Sequence, residues 1–143
     1  MLRTKVIKQQ SMSKEEAQMS VILLADDSAF MRNWLKQIIQ QHGSHEFVEA
    51  KDGQEAVTVF QAVRPDMVIM DMVMPVKNGL ETLSEIMSFD STAKVIICSS
   101  LGTQSNVMDA IQSGAKDFIV KPYFKNLGEI IDKHLGTATT STE

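Results

Sequence analysis

Five short apolar runs alternate with five amphipathic stretches between Val21 and Leu135, and this alternation limits the fold more than any other feature. Each run is bounded by polar residues and has the length of a buried parallel strand. The strands are predicted at about 21–26, 46–50, 66–71, 94–99 and 116–120. Strands and helices that alternate at this spacing form a parallel sheet with helices on both faces, joined by right-handed crossovers. The sequence therefore predicts one doubly wound α/β domain.

Each predicted helix carries apolar residues at the spacing of one buried stripe. The second helix is predicted at about 54–63, and Pro65 lies just beyond it. Gly43 is predicted to end the first helix and Gly114 the fourth, because glycine is common just after a helix. The stripes consist, in order, of Met31, Trp34, Leu35, Ile38 and Ile39; of Ala56, Val59, Phe60 and Val63; of Leu80, Leu83, Ile86 and Met87; of Val107, Ala110 and Ile111; and of Leu127, Ile130, Ile131 and Leu135.

Both ends of the chain lie outside this pattern. Residues 1–20 are polar and irregular, so a flexible N-terminal leader is expected there. Within it, residues 13–16 match a capping box and are compatible with a short helix. The ordered domain is predicted to span 21–135, followed by a frayed tail at 136–143. No output domain is expected after the fifth helix.

Composition argues against several classes of function. The net charge of −4 and the pI near 5.4 argue against general binding to nucleic acid or to an anionic membrane surface. No apolar stretch has the length of a membrane span, and no apolar region follows Arg3, Lys5 and Lys8 as in a secretory signal. The single cysteine, Cys98, cannot form an internal disulfide, which fits a reducing compartment. We therefore expect a cytoplasmic protein.

Charged residues directly follow three of the apolar runs. Asp26 and Asp27 follow the first run as a pair. Asp71 follows the third run, and Lys121 follows the fifth. The carboxyl ends of parallel strands form the edge at which open α/β sheets hold ligands, so these groups should converge if the first and third strands are neighbours. Three adjacent carboxylates repel one another and favour a hard cation, and Mg²⁺ suits a site that also takes a phosphoryl oxygen.

Spacing alone leaves other interpretations of these residues open. Asp26 and Asp27 could be a helix N-cap and a first-turn acid, because Ser28 opens the next helix. Lys121 could be a surface lysine at the end of a strand. The occurrence of all four groups at matching places favours a common site.

The chemistry that this arrangement favours is transfer of a phosphoryl group to Asp71. A carboxylate that attacks phosphorus forms an acyl phosphate, and a metal offsets the developing charge. Lys121 supplies a second positive charge, and Pro122 directly after it is typical of a fixed turn that can contain a cis bond. Ser99, which ends the fourth run, can hydrogen-bond a phosphoryl oxygen or act as a turn serine before Gly102.

Together these residues resemble the receiver domain of two-component response regulators. The resemblance covers Val21 to Leu135 and implies a five-stranded sheet with strand order 2-1-3-4-5, the flavodoxin/CheY-like (βα)5 fold. It rests on Asp26-Asp27, on Asp71-Met72-Val73-Met74-Pro75-Val76-Lys77-Asn78-Gly79, on Ser99 and on Phe118-Ile119-Val120-Lys121-Pro122.

The resemblance also implies roles for individual residues. Asp71 would be the phosphoacceptor, Lys121 the partner of its phosphate, and Ser99 and Phe118 the switch residues. The implied Mg²⁺ ligands are Asp26, Asp27, Asp71 and the backbone carbonyl of Val73. Without the family, Phe118 also fits an ordinary core residue at the sheet edge.

Within the family, the chain looks most similar to stand-alone chemotaxis regulators of the CheY type. The supporting segments are Asp27-Ser28-Ala29-Phe30-Met31-Arg32, Cys98-Ser99-Ser100-Leu101-Gly102 and residues 113–122. This similarity implies a monomeric signalling switch, not a metabolic enzyme, that takes its phosphoryl group from a histidine kinase. It also implies binding to a flagellar-motor switch protein or another effector through the face of the fourth helix, fifth strand and fifth helix. A phosphatase is a further partner of this kind of protein.

The sequence departs from the family in three respects. The leader at 1–20 is not part of the basic domain, and Phe118 stands where well-known chemotaxis members have tyrosine. Val73 and Leu101 are apolar where some relatives carry side chains that position the attacking water. We therefore expect slow loss of phosphate.

Other functions are compatible with parts of this pattern. A Mg²⁺-dependent phosphohydrolase with an aspartyl-phosphate intermediate would need an acid two residues after Asp71, where this chain has Val73. A flavin or nucleotide carrier can share the fold, but no glycine-rich phosphate loop follows the first strand. A phosphorelay shuttle, or a regulator of an enzyme not involved in motility, remains open within the family.

Overall fold

The apolar runs and amphipathic stretches fold into strands and helices in turn. The structure is a computed structural model and describes residues 19–136. The strands are β1 (Ser20–Ala25), β2 (His45–Ala50), β3 (Met67–Met70), β4 (Val95–Ser99) and β5 (Asp117–Val120). The helices are α1 (Ala29–Gln40), α2 (Gly53–Val63), α3 (Gly79–Phe89), α4 (Gln104–Gln112) and α5 (Leu127–Leu135). All five strands are parallel in the order β2-β1-β3-β4-β5, which confirms the predicted fold and strand order.

Successive residues of the central strands enter opposite hydrophobic layers, as the twofold period of a strand requires. Leu23 and Val68 lie in one layer with residues of α2, α3 and α4. Ile22 and Ile69 lie in the other layer with residues of α1 and α5. Because both faces of these strands are covered, their sequences are continuously apolar instead of alternating.

One predicted helix end is wrong. Helix α1 ends at Gln40 with Gln41 as its C-cap, and Gly43 does not adopt a positive φ. The backbone N–H groups of Gln41 and His42 close the last turn by donating to the carbonyls three residues earlier. By contrast, Gly114 follows α4 with φ 114°, as predicted.

Strands β1 and β3 each end one residue before the acid that was predicted to close them. Ala25 pairs with Ala50 of β2 and with Met70 of β3. The backbone N–H of Asp26 then donates to the Ala50 carbonyl at 3.0 Å, and that of Asp71 donates to the Ala25 carbonyl at 2.9 Å. This register brings Asp26 and Asp71 to the same level at the carboxyl edge of the sheet.

Most of the predicted leader, including the capping box at residues 13–16, lies outside the described residues, as does the tail after Gly136. β1 begins at Ser20, one residue before the predicted start of the first strand. Between residues 19 and 136, no helix combines the length and apolar character needed to cross a membrane.

Candidate functional site

Three carboxylates meet at the carboxyl edge of β1 and β3. One oxygen atom from each of Asp26, Asp27 and Asp71 lies within 4.8 Å of the other two. Asp26 is only 3% exposed, Asp71 is half-buried and Asp27 is exposed, so the cluster opens to solvent on one side. The structure therefore brings together the three acids that the strand ends predicted.

Helix α1 begins beside this cluster without using its acids as caps. Ser28 is the N-cap, and its Oγ accepts a hydrogen bond from the backbone N–H of Met31 at 3.1 Å. Asp26 Oδ1 in turn accepts from the backbone N–H of Ser28 at 2.9 Å. The interpretation of Asp26 and Asp27 as an N-cap and a first-turn acid is therefore wrong, because both residues precede the cap.

Lys121 reaches the cluster from the end of β5. Its Nζ lies 2.6 Å from Asp26 Oδ2 and 3.1 Å from Asp71 Oδ2, and its side chain is only 12% exposed. Burial alone would lower the pKa of Lys121, but the hydrogen bonds and negative charges of Asp26 and Asp71 outweigh it and raise this pKa above its usual value. Lys121 is therefore a charged member of the site and not a surface lysine. The peptide bond from Lys121 to Pro122 is cis.

Ser99 ends β4, between the strands that precede Asp71 and Lys121. Its side chain is buried, and its Oγ accepts a hydrogen bond from the backbone N–H of Leu101 at 3.2 Å. In this structure the hydroxyl thus has the turn role that the sequence left open. As the acceptor of that bond it keeps its own proton for donation to another group.

Phe118 lies on β5 beside Ile97 of β4 and is half-buried. Its ring packs against the hydrophobic layer that contains Leu83 and Ile86 of α3. In this conformation Phe118 is therefore a core residue at the edge of the sheet.

The loop after Asp71 folds tightly over the end of β3. The backbone N–H of Val73 points to Asp71 Oδ1 at 3.4 Å. Val73 is 55% exposed, and Leu101 on the β4–α4 loop is 45% exposed. Gly79 donates its N–H to the Met72 carbonyl at 2.8 Å, and a Cβ on Gly79 would lie 2.4 Å from the Asp71 carbonyl oxygen. Only glycine allows α3 to start this close to the loop that carries Asp71.

Arg32 also contributes to the site, which was not predicted from the sequence. Its Nη1 donates to the carbonyl oxygen of Asp26 at 2.6 Å, and its Nε donates to Glu49 Oε1 at 2.6 Å. Lys36 Nζ pairs with the other oxygen of Glu49 at 2.6 Å. A signal was present, because Arg32 lies four residues after the N-cap Ser28, and side chains at this spacing share one face of a helix.

Comparison with known proteins agrees with this arrangement. A family model described as the response regulator receiver domain matches residues 22–133. The chemotaxis protein CheY of Thermotoga maritima is 49% identical over 102 residues, which are 71% of this chain and 85% of that protein. The chemotaxis protein CheY of Bacillus subtilis is 48% identical over 102 residues, with the same coverage of both chains.

Solved structures show the same likeness. The response regulator domain of Thermotoga maritima CheB aligns with a TM-score of 0.72 and 35% identity, covering 87% of this chain and 99% of that one. A chain of the CheX-CheY-BeF3-Mg²⁺ complex from Borrelia burgdorferi aligns with a TM-score of 0.75 and 32% identity, covering 95% and 99%. This chain therefore belongs to the response regulator receiver domain family.

Proposed function

We propose that this protein is a single-domain response regulator that accepts a phosphoryl group from a histidine kinase on Asp71. The observation that carries the proposal is the meeting of the Asp71 carboxylate with Lys121, Asp26 and Asp27 at the carboxyl edge of the sheet. The site thus combines a nucleophile in Asp71, a protonated lysine in Lys121 and acids suited to a divalent cation.

The residues present fit Mg²⁺. Their donors are hard carboxylate oxygens, the type of ligand that Mg²⁺ binds, and one oxygen of each acid already lies within 4.8 Å of the other two. The expected ligands are Asp26, Asp27, Asp71 and the backbone carbonyl of Val73. When bound, Mg²⁺ would offset the negative charge of the phosphoryl oxygens.

The proposed reaction moves phosphorus from a phosphohistidine nitrogen to Asp71. A carboxylate oxygen of Asp71 forms the new O–P bond while the N–P bond breaks, and the imidazole keeps the electron pair and takes up a proton. Lys121 Nζ lies 3.1 Å from Asp71 Oδ2, near enough to pair with the oxygens that arrive. The family resemblance places Val73 and Leu101 where some relatives position the attacking water, and their side chains offer it no hydrogen bond.

The added charge would drive the switch. A phosphoryl group adds about one to two negative charges and strong acceptor oxygens, and Ser99 still has a proton to donate. If Ser99 turns towards the phosphoryl group, its bond to the Leu101 N–H is lost and the β4–α4 loop moves. Phe118, half-buried beside β4, can then fill the space that opens. A nearly complete switch needs ~5 kcal/mol, which a few hydrogen bonds to charged groups supply.

We further propose that the output is chemotaxis, through binding of a flagellar-motor switch protein by the face of α4, β5 and α5. The names and identity of the CheY relatives support this output, as do the exposed apolar side chains of Met108, Ile111 and Tyr123 on this face and the loop beside it. A CheX-type protein is a further proposed partner, because the Borrelia burgdorferi structure is a CheX-CheY complex. We propose a cytoplasmic location, which a buried free thiol at Cys98 suits.

The chemistry is tested by intact mass after incubation with a small acyl-phosphate donor, with and without Mg²⁺. The wild type should gain one phosphoryl group only with Mg²⁺, and Asp71→Asn should gain none. Asp109→Asn, which changes an exposed acid on α4 in the same way, should react like the wild type. A wild type that gains no mass, or an Asp71→Asn variant that gains as much, would contradict the proposal.

The output is tested by titrating the motor switch protein of the same organism into phosphorylated and unphosphorylated protein. Tighter binding of the phosphorylated form is expected, and Ile111→Asp should weaken it. Equal affinity of the two forms would rule out the chemotaxis output and leave the phosphorylation chemistry standing.

A further inference from the structure

Arg32 holds the peptide unit that joins two neighbouring acids of the site. Its Nη1 donates at 2.6 Å to the carbonyl oxygen of Asp26, and this oxygen belongs to the peptide plane between Asp26 and Asp27. Because the plane is rigid, holding its oxygen also sets the direction in which the Cα of Asp27 leaves it. The guanidinium therefore acts on Asp27 through the backbone.

Asp27 depends on this contact more than Asp26 does. Asp26 is also held by its N–H bond to Ala50, and its two carboxylate oxygens accept from Ser28 and Lys121. Within residues 19–136, the structure gives the exposed Asp27 side chain no hydrogen-bond partner. The direction of the Asp27 carboxylate is thus set by its backbone.

Glu49 keeps the guanidinium of Arg32 in place. Two 2.6 Å ion pairs join its carboxylate oxygens to Lys36 Nζ and to Arg32 Nε, and hydrogen bonds from Lys36 and Arg32 hold the pKa of Glu49 below its usual value. Glu49 directly precedes Ala50, whose carbonyl accepts the N–H of Asp26. The contacts form a closed ring through the ends of β1 and β2, and the Arg32 side chain within it is only 16% exposed.

We propose that Arg32 is a positioning residue of the metal site, which keeps the Asp27 carboxylate directed at the cation that Asp26 and Asp71 also bind. The inference rests on the proposed function, because it concerns the same Mg²⁺. Arg32 contacts the carbonyl of Asp26 and not its carboxylate, so it acts on the cation only through the backbone between the two acids.

Charge and position predict opposite effects of removing Arg32. Arginine is a cation, so its loss would strengthen the binding of a second cation if only electrostatics mattered. Loss of positioning should instead weaken Mg²⁺ binding, because removing a group that orients metal ligands typically costs about 10–100-fold in affinity. The sign of the change therefore distinguishes the two explanations.

The experiment is a Mg²⁺ titration of the full chain, followed by the amide NMR shifts of Asp27 and Ser28. We expect Arg32→Met to weaken Mg²⁺ binding about tenfold. Lys36→Met removes a cation from the same helix that pairs with the same Glu49, and should not weaken binding. Glu49→Gln should weaken it less than Arg32→Met does, because Arg32 keeps its bond to Asp26. If Arg32→Met fails to fold, Arg32→Lys replaces it. The single ammonium of lysine cannot reproduce the two bonds that separate guanidinium nitrogens of Arg32 make to Asp26 and Glu49.

A second measurement uses phosphorylation. In Arg32→Met, the Mg²⁺ concentration for half-maximal phosphorylation rate should rise about tenfold, while the rate at saturating Mg²⁺ stays near that of the wild type. Unchanged or tighter Mg²⁺ binding by Arg32→Met, or equal weakening by Lys36→Met, would overturn the inference. A wild type that binds Mg²⁺ without gaining a phosphoryl group would contradict the proposed function alone.

Discussion

Lys121 Nζ lies 2.6 Å from Asp26 Oδ2, although 95 residues separate the two in the sequence. Their strands are not neighbours, because β3 and β4 lie between β1 and β5 in the sheet. The ion pair therefore spans the site. Lys121 Nζ also lies 3.1 Å from Asp71 Oδ2, which follows β3. A cation that binds Asp26 and Asp71 must therefore share their carboxylates with Lys121.

Replacing Lys121 with methionine should destabilise the protein and make it more dependent on Mg²⁺. The change leaves Asp26, which is 3% exposed, as a buried charge without its ammonium partner. Breaking a buried ion pair from one side costs about 3–5 kcal/mol, and Mg²⁺ should then restore more stability than it adds to the wild type. Urea unfolding with and without Mg²⁺ measures both effects. The exposed Lys116→Met serves as the control, and an equal loss in the two variants would contradict the argument.

Replacing Gly79 with alanine should destabilise the loop that carries Asp71. Alanine normally favours a helix over glycine by about 1 kcal/mol, but here its Cβ would lie 2.4 Å from the Asp71 carbonyl and 2.6 Å from the Met72 Cα. Both obstacles are backbone atoms, so the loop must shift, at a cost of about 1–3 kcal/mol. Urea unfolding of Gly79→Ala should show this loss. Gly43→Ala should show much less, because its Cβ would meet only the His45 side chain, at 3.3 Å.

The sequence was sufficient to predict the sheet and the acids, because both depend on local pattern. Apolar runs such as Val21-Ile22-Leu23-Leu24 are continuous since both faces of the strand are covered, and charges that follow parallel strands must meet at one edge. The strand order, however, came only from the family resemblance. Periodicity alone does not state which strands are neighbours.

Other features could not be predicted, because contacts between distant residues decide them. Arg32, which bonds Asp26, also pairs with Glu49 of β2, and no spacing along the sequence reveals that partner. Val76 adopts φ 70° in the loop before α3, a conformation that a β-branched residue disfavours and that its sequence gives no reason to expect. Gly43 does not end α1, because the backbone N–H groups that follow the helix donate to carbonyls within α1 before Gly43 is reached.

Polar side chains at positions 73 and 101 should speed the loss of phosphate from Asp71. Val73 and Leu101 are 55% and 45% exposed and stand where some relatives carry side chains that position the attacking water, but neither side chain can hydrogen-bond it. The double variant Val73→Asn/Leu101→Gln should therefore release phosphate several times faster in the presence of Mg²⁺. Release is followed from protein phosphorylated with a small acyl phosphate after the donor is removed.

A matched control for that experiment is Val63→Asn, at the end of α2, where the side chain is 43% exposed although the helical spacing predicted it to be buried. It makes the same kind of change away from the site and should leave the rate as in the wild type. Equal rates in the wild type and the double variant would show that these two positions do not limit the attack of water.

His45 should make the protein less stable as the pH falls below about 6.5. Burial lowers the pKa of His45, and the nearby charge of Asp132 raises it by less. Among residues 19–136, the buried Nδ1 of His45 has no hydrogen-bond partner, so no hydrogen bond there stabilises a proton on it. The pKa of His45 is therefore lower in the folded state than in the unfolded state. The contribution of neutral His45 to the free energy of unfolding is complete above the unfolded pKa, and it is lost as the pH falls from that value towards the folded pKa.

The measurement is the melting temperature between about pH 7.5 and pH 5.5, the range that spans the ordinary histidine pKa. His45→Phe keeps a ring at the start of β2 and should flatten the decline at low pH. Asp132→Asn removes the charge that favours protonation, so it should lower the pKa of His45 further and steepen the decline. A decline in His45→Phe as steep as in the wild type would assign the pH dependence to other groups.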